Sequence, residues 1–451
     1  MDGLYKLKKG LDLNLKGKAE PTLGALPLSK EYAICPGGFN GIHLHPLVKE
    51  GEHVLAGQAV LSDKQTGLVK ITSPVSGTIS SIERGERRKL LGIHIQADAE
   101  QANKDYGHTD LTQATAESIK NLLLESGLFA YVRQRPYDIV ASPNTSPKGI
   151  FISAFSKMPL AADFSFVVKG QDDLFKTGVN ALAKLAKVYI GISPEQEGGT
   201  FIPKGENIEV NVFDGPNPSG NVGVQINHVA PINKGEVAWT IGAEVVIMIG
   251  RLIESGIVDQ TRRIAVAGSK ISKPAYISAK VGTPIKDILA GRLSAEEHSR
   301  IINGNPLVGE LSGIDDYLHP FTTEICAIPE GDNVNEVLGW ITPRLKDFST
   351  SHSYFSWLFG KKRTYDLDCR IKGGERHMIM SNEYERVFPM DILPSYLVKA
   401  IITGDIDKQE ELGIYEVAPE DFAVAEFVDS SKLELQRIVR QGLDILQKEN
   451  A

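Results

Sequence analysis

The stretch "HVLAGQAVLSDKQTG" (53–67) places Lys64 between two glycine-bounded turns, and "SPVSG" (73–77) follows. A lysine at the tip of such a hairpin can be acylated, as in lipoyl or biotin carriers, and then swings a reactive group between sites. Lys64 falls only six residues after Gln58, closer to the preceding turn than a biotinylated lysine. The modifying enzyme reads the lysine's place on the hairpin, so the register favours an unmodified, solvated lysine on a β-turn.

Three other clusters have residue types that could do chemistry. His43 and His45 alternate along one short segment, with His53 nearby. Two histidines on one strand face can ligate a metal, but no carboxylate or thiol lies at ligand spacing, so a polar strand face is expected. Cys35, Cys326 and Cys369 form no CxxC pair, which argues against an iron–sulfur or zinc site in this chain. "DGPNPSGNVG" (214–223) could wrap a phosphate with backbone N–H groups. It lacks GxGxxG spacing, and a strand-to-strand turn is the plainer reading. No P-loop, nucleophile elbow or HExxH motif occurs.

"HSYFSWLFGKKR" (352–363) is of another kind. Tyr354, Phe355, Trp357 and Phe359 precede Lys361, Lys362 and Arg363. Aromatics beside a cationic rim suit a partner protein or a membrane surface. No catalytic, cofactor-binding or metal-ligating residue is assigned, so these seven are the candidate contact residues.

Several elements must position such residues. Short strands with Gly and Pro turns fill 30–100. "TQATAESIKNLLLESG" (112–127) reads as a helix stopped by Gly127. From 149 onward strands ("GIFISAF", "VYIGI", "IEVNVF") alternate with apolar-faced helices (172–187 and 243–256). That alternation is the mark of a parallel sheet covered by helices. "RRIAVAGSKISKPAYISAKVGTPIKDIL" (262–289) reads as a compact β-grasp module, and the chain looks helical beyond about 390.

The 451 residues allow two to four domains. A net charge of −8 is unlike the basic footprint of a nucleic-acid binder. The start has no apolar signal core, and no apolar run approaches the roughly 18 residues of a membrane span. Three unpaired thiols suit a reducing compartment.

Beyond these readings, "KLKKGLDLNLKGKAEP" near the start, "MPLAADF" (158–164), the stretch from Arg263, "ERVFPMDILPSYLVKAIITGD" (385–405) and "EDFAVAEFVDSSK" (420–432) occur in order. Together they resemble the NqrA family of the bacterial sodium-translocating NADH:quinone reductase. That family is a distant relative of the C component of the Rnf complex and of the NADH-binding flavoprotein of complex I. The resemblance implies an α/β multidomain chain. Residues 1–105 would hold an N-terminal segment and a lipoyl/biotinyl-like β-hammerhead sandwich, and 106–258 a Rossmann-like α/β domain. A β-grasp SLBB-like module would span 259–330, and 331–451 would be mostly helical.

It further implies a peripheral subunit on the cytoplasmic face of the inner membrane. Its partners would be the other members of a six-subunit complex, chiefly a membrane-embedded one. That complex passes electrons from NADH to ubiquinone or another quinone and exports sodium, with FAD, FMN, riboflavin and iron–sulfur held by other subunits. Where flavin-binding relatives carry a glycine loop after "SGL", this chain has Tyr131, Arg133, Arg135 and Tyr137. Side chains there would block the close backbone approach that a glycine loop allows. The expectation is a kept fold without FMN, NADH or iron–sulfur sites, and a possible contact with quinone. The alternatives are a lipoyl or biotinyl carrier and an active FMN-dependent NADH dehydrogenase subunit.

Overall fold

The computed structural model describes residues 3–294, 298–332, 344–345, 347–350, 354–359 and 363–450. A seven-stranded sheet lies at its centre. In spatial order its strands are Gly3–Lys6, Ile208–Asp214, Val188–Ile192, Ile150–Ser153, Ala238–Thr240, Arg133–Arg135 and Ile139–Val140. The first five run parallel, Arg133–Arg135 runs against them, and Ile139–Val140 pairs antiparallel with Arg133–Arg135. The central parallel strands Val188–Ile192, Ile150–Ser153 and Ala238–Thr240 are largely buried on both faces, as a doubly covered sheet demands. Ile150 and Ile152 face the main core, while Phe151 packs with Ile226, Ile232 and Ala238 on the other side.

On the main-core face, helices Asp172–Leu182 and Ala243–Ser255 lie against each other. They approach so closely that a Cβ on Gly178 would sit 2.1 Å from the Val246 carbonyl oxygen, and one on Gly250 1.9 Å from that of Leu174. The chain order matters for function. From Ile150–Ser153 the strands proceed outward to Val188–Ile192 and Ile208–Asp214. The chain then returns to lay Ala238–Thr240 on the opposite side of Ile150–Ser153. This reversal opens a crevice at the carboxyl ends of those two strands, where open α/β sheets hold ligands.

A four-stranded sheet (Glu31–Ile34, Leu90–Ala97, Gly77–Arg84, His53–Val54) and a three-stranded one (Leu44–Pro46, Ala59–Asp63, Lys70–Thr72) make the N-terminal β unit. Val54, Val60, Leu61, Val75, Ile79, Ile93 and Ile95 are buried there. A six-stranded sheet comes next, ordered Glu310–Ser312, Ser299–Asn303, Glu324–Pro329, Thr261–Ala267, Ala275–Lys280 and Glu20–Gly24. Residues 3–24, grouped by sequence with the N-terminal β unit, thus give an edge strand to each of the two larger sheets. Helices Glu383–Val387, Pro394–Thr403, Ile406–Glu411, Ala423–Val428 and Leu435–Glu449 share a second core with Leu397, Val398, Phe422, Leu443 and Leu446.

Local chemistry sets where elements start and stop. The helix expected over 112–127 covers Ala116–Glu125, because the Thr115 side chain accepts from the Ser118 amide and so caps it. Gly127, at φ 75°, ends it as expected. The helix expected over 172–187 stops at Leu182; Leu185 packs against the core from the turn beyond. The 214–223 loop is not a strand-to-strand turn. It leads from Ile208–Asp214 into helix Val222–Val229, since Pro216 and Pro218 have no N–H to extend a ladder.

Candidate functional site

The crevice at the strand reversal is part of a cavity of about 530 Å³. Ser153, Thr240 and Gly242 line it from the ends of the parallel strands, and Gly220, Asn221 and Val222 from the 214–223 loop. The six-stranded unit contributes Asn303, Asn305, Glu310, His319 and Glu324, and the C-terminal region Pro419, Glu420, Gln436 and Arg440. Strand Arg133–Arg135 runs along it with Arg133 and Arg135.

Arg135 is the largest of the fully buried side chains, at 1% exposure. Its Nη2 donates to Glu420 Oε1 at 3.1 Å and its Nη1 to Asp421 Oδ2 at 3.4 Å. Arg133 Nη1 stands 3.3 Å from Asp138 Oδ2, and the guanidinium of Arg133 lies over the Phe321 ring. Arg440 donates to the Tyr137 carbonyl at 2.7 Å and to that of Asp138 at 3.3 Å. Three arginines therefore meet three acids. Burial works against the charge on Asp138, yet Arg133, Arg135 and Arg440 hold its carboxyl below the usual range. Burial raises Asp421 and pushes Glu420 up to about 7, with Arg135 opposing both. Glu420 keeps 40% of its side chain open while Asp421 is fully enclosed, so burial governs Asp421 more strongly.

Two further acids are held up by burial, Glu324 on the cavity wall and Glu244 near it. Glu324 is buried and its carboxyl is raised by that burial, against hydrogen bonds from Thr323, Ala162 and Asn305. Glu244, in the first turn of Ala243–Ser255, is pushed up to about 8 by burial and by Glu324, with Arg262 opposing.

The residues singled out by sequence are dispersed. Lys64 is exposed in the turn after Ala59–Asp63. Asp63 caps that turn, accepting from the Gln65 and Thr66 amides and the Thr66 hydroxyl. His45 is on a strand, and His53 pairs with Asp98 at 2.9 Å. Among the described residues no group of three His, Cys, Asp or Glu could hold a metal. Tyr131 is buried, its hydroxyl pushed up to about 12 by burial. With Arg133 and Arg135 it lines the cavity rather than filling it; Tyr137 is not on its wall.

Phe355, Trp357 and Leu358 are exposed on the short helix Phe355–Phe359. Tyr354 takes the Arg344 guanidinium over its ring, and Arg363 lies over Tyr365. Lys361 and Lys362 fall outside the described residues. Sequence reasoning missed Glu244, Glu324, Glu420 and Asp421. Glu420 and Asp421 lie in "PEDFAVAEF", a stretch that reads only as helix; its first turn, Pro419–Phe422, is a 3-10 turn.

Comparison with known proteins matches three stretches of the chain to family models. Residues 5–98 match a family model described as the NqrA N-terminal barrel-sandwich hybrid domain, 114–258 the NqrA second alpha/beta domain, and 263–313 the NQRA C-terminal domain. The NqrA protein of the Na(+)-translocating NADH-quinone reductase of Photorhabdus laumondii is 34% identical, covering 99% of this chain and 100% of the relative. The chain belongs to the NqrA family of the Na(+)-translocating NADH-quinone reductase. NqrA proteins from Neisseria meningitidis and Yersinia pestis are 33% identical over the same shares. The family match thus spans all the sheets that enclose the cavity. Among solved structures, the air-oxidized NAD+-reducing [NiFe]-hydrogenase aligns at TM-score 0.37 and 9% identity, over 77% of this chain and 72% of that one, too slight a likeness to bear on function.

Proposed function

We propose that this chain is a peripheral subunit of a sodium-translocating NADH:quinone reductase, docked on the cytoplasmic face of the membrane. It works within a translocase that passes electrons from NADH to ubiquinone or another quinone and exports sodium. NADH, FAD, FMN, riboflavin and iron–sulfur belong to the other subunits, and the chain has no catalysis of its own. Its N-terminal β unit is read as lipoyl/biotinyl-like, its central domain as Rossmann-like and its six-stranded unit as β-grasp. The observation that carries the reading is the end-to-end identity with NqrA relatives. That no described helix is long and apolar enough to cross a membrane fits a peripheral place. Tyr354, Phe355, Trp357 and Phe359, with Lys361, Lys362 and Arg363, are its proposed contact with a membrane-embedded partner.

The test is reconstitution. Membranes from cells expressing the other five subunits of a relative's complex should gain sodium-stimulated NADH:quinone reductase activity when this chain is co-expressed. A chain that neither restores activity nor co-purifies with those subunits would overturn the reading.

A further inference from the structure

Strand Arg133–Arg135 and the turn after it present an imbalance. Arg133 and Arg135 share one local carboxylate, Asp138, which stands 3.3 Å from Arg133 but 4.0 Å from Arg135. A buried guanidinium left uncompensated is strongly unfavourable, so Arg135 needs an anion from elsewhere. It receives Glu420 and Asp421 from the turn Pro419–Phe422, 285 and 286 residues along the chain. Asn221 adds a hydrogen bond to the Glu420 carbonyl at 3.1 Å. Gly223 gives Asp421 room: a Cβ there would lie 2.4 Å from its Oδ2.

The fit is incomplete. Arg135 Nε and Asp421 Oδ1 are buried without hydrogen-bond partners. Glu420, the partner on the cavity side, is 40% exposed, and Arg135 itself borders the cavity. An anion with more oxygens than a carboxylate, entering from the cavity, would meet the guanidinium where Glu420 meets it now.

We propose that the Glu420–Asp421 turn is an autoinhibitory plug: it occupies, on Arg135, the seat of a phosphate-bearing ligand, and the cavity binds such anions only when the plug withdraws. The facing charged groups are Arg133 and Asp138 on the same strand and turn, Arg440 on helix Leu435–Glu449, and Glu310, His319 and Glu324 on the six-stranded unit.

The test uses the full chain and inorganic pyrophosphate, titrated calorimetrically at low ionic strength. Glu420→Gln keeps the shape of a partly exposed side chain and removes the negative charge that competes with an anion for Arg135. It should bind pyrophosphate at least about tenfold tighter than the unaltered chain, a measurable step in affinity. Adding Arg135→Lys, which keeps the charge but loses the forked contact, should remove most of that gain. Equal affinity in E420Q and the unaltered chain, or a gain that survives R135K, overturns the proposal. A second readout covers a variant that folds poorly: in the unaltered chain, saturating pyrophosphate should speed amide exchange across 418–422. Unchanged or slower exchange there also overturns it.

Discussion

Arg135 and Asp421 are 286 residues apart in the chain, yet Nη1 of one lies 3.4 Å from Oδ2 of the other, with side chains 1% and 0% exposed. Removing one member of a buried pair costs more than replacing both with apolar groups. Asp421→Ala should therefore destabilise the folded chain by about 3 kcal/mol, seen as a clear drop in calorimetric melting temperature. Arg135→Met with Asp421→Leu should cost less than Asp421→Ala alone. The reverse order would show that the pair is not energetically coupled.

Stability should fall as pH rises from about 5 to about 8. Glu244 is raised in the folded state from the ordinary 4.5 to about 8. A carboxyl raised on folding binds its proton more tightly when folded, so its contribution is complete below the ordinary value and disappears as pH rises through about 8. Urea midpoints should decline between about pH 5 and pH 8, and Glu244→Gln should flatten the decline. A variant with the original slope would place the titration elsewhere.

Phe355 is 53% and Trp357 46% exposed. Serine at Trp357 and Phe359 should weaken co-purification with membrane subunits while moving the melting temperature by no more than a few degrees. A large drop in melting temperature would make these aromatics part of the chain's own core.

Lys64 should carry no acyl group. Intact mass after expression in a host with lipoate and biotin ligases should equal the sequence mass. An excess matching either group on Lys64 would restore the carrier reading.

The isolated chain should bind NADH no better than millimolar. In calorimetry, micromolar affinity would show that Tyr131, Arg133 and Arg135 leave a usable dinucleotide site.

How much of this is legible in the sequence depends on sequence distance. Strands 188–192 and 208–213 show as short Val/Ile-rich segments because most of their residues are buried. The stop at Gly127 shows because a left-handed residue there needs glycine. Both signals are local. The loop at 214–223 misleads because its proline and glycine content marks a break without announcing the helix beyond it. The cavity is out of reach: its walls come from residues 38 to 440, and nothing near Arg135 announces that its counter-charge lies at 420–421. The four bulky residues after "SGL" stand out as the point of departure from flavin-binding relatives. That three of them line an open cavity is visible only from the antiparallel strand that carries Arg133 and Arg135.

The two edge strands near the amino terminus, Gly3–Lys6 and Glu20–Gly24, have a consequence for biosynthesis. They leave the ribosome well before their partners, Ile208–Asp214 and Ala275–Lys280. At about 5–20 residues per second, the roughly 200 further residues the first needs and the roughly 250 the second needs take about 10–50 s to appear. For that time both segments are unpaired strands with open hydrogen-bonding edges, which invite association with other chains. These two segments thus have need of a chaperone during synthesis, and each of the two larger sheets holds an edge strand that waits for a partner made long after it.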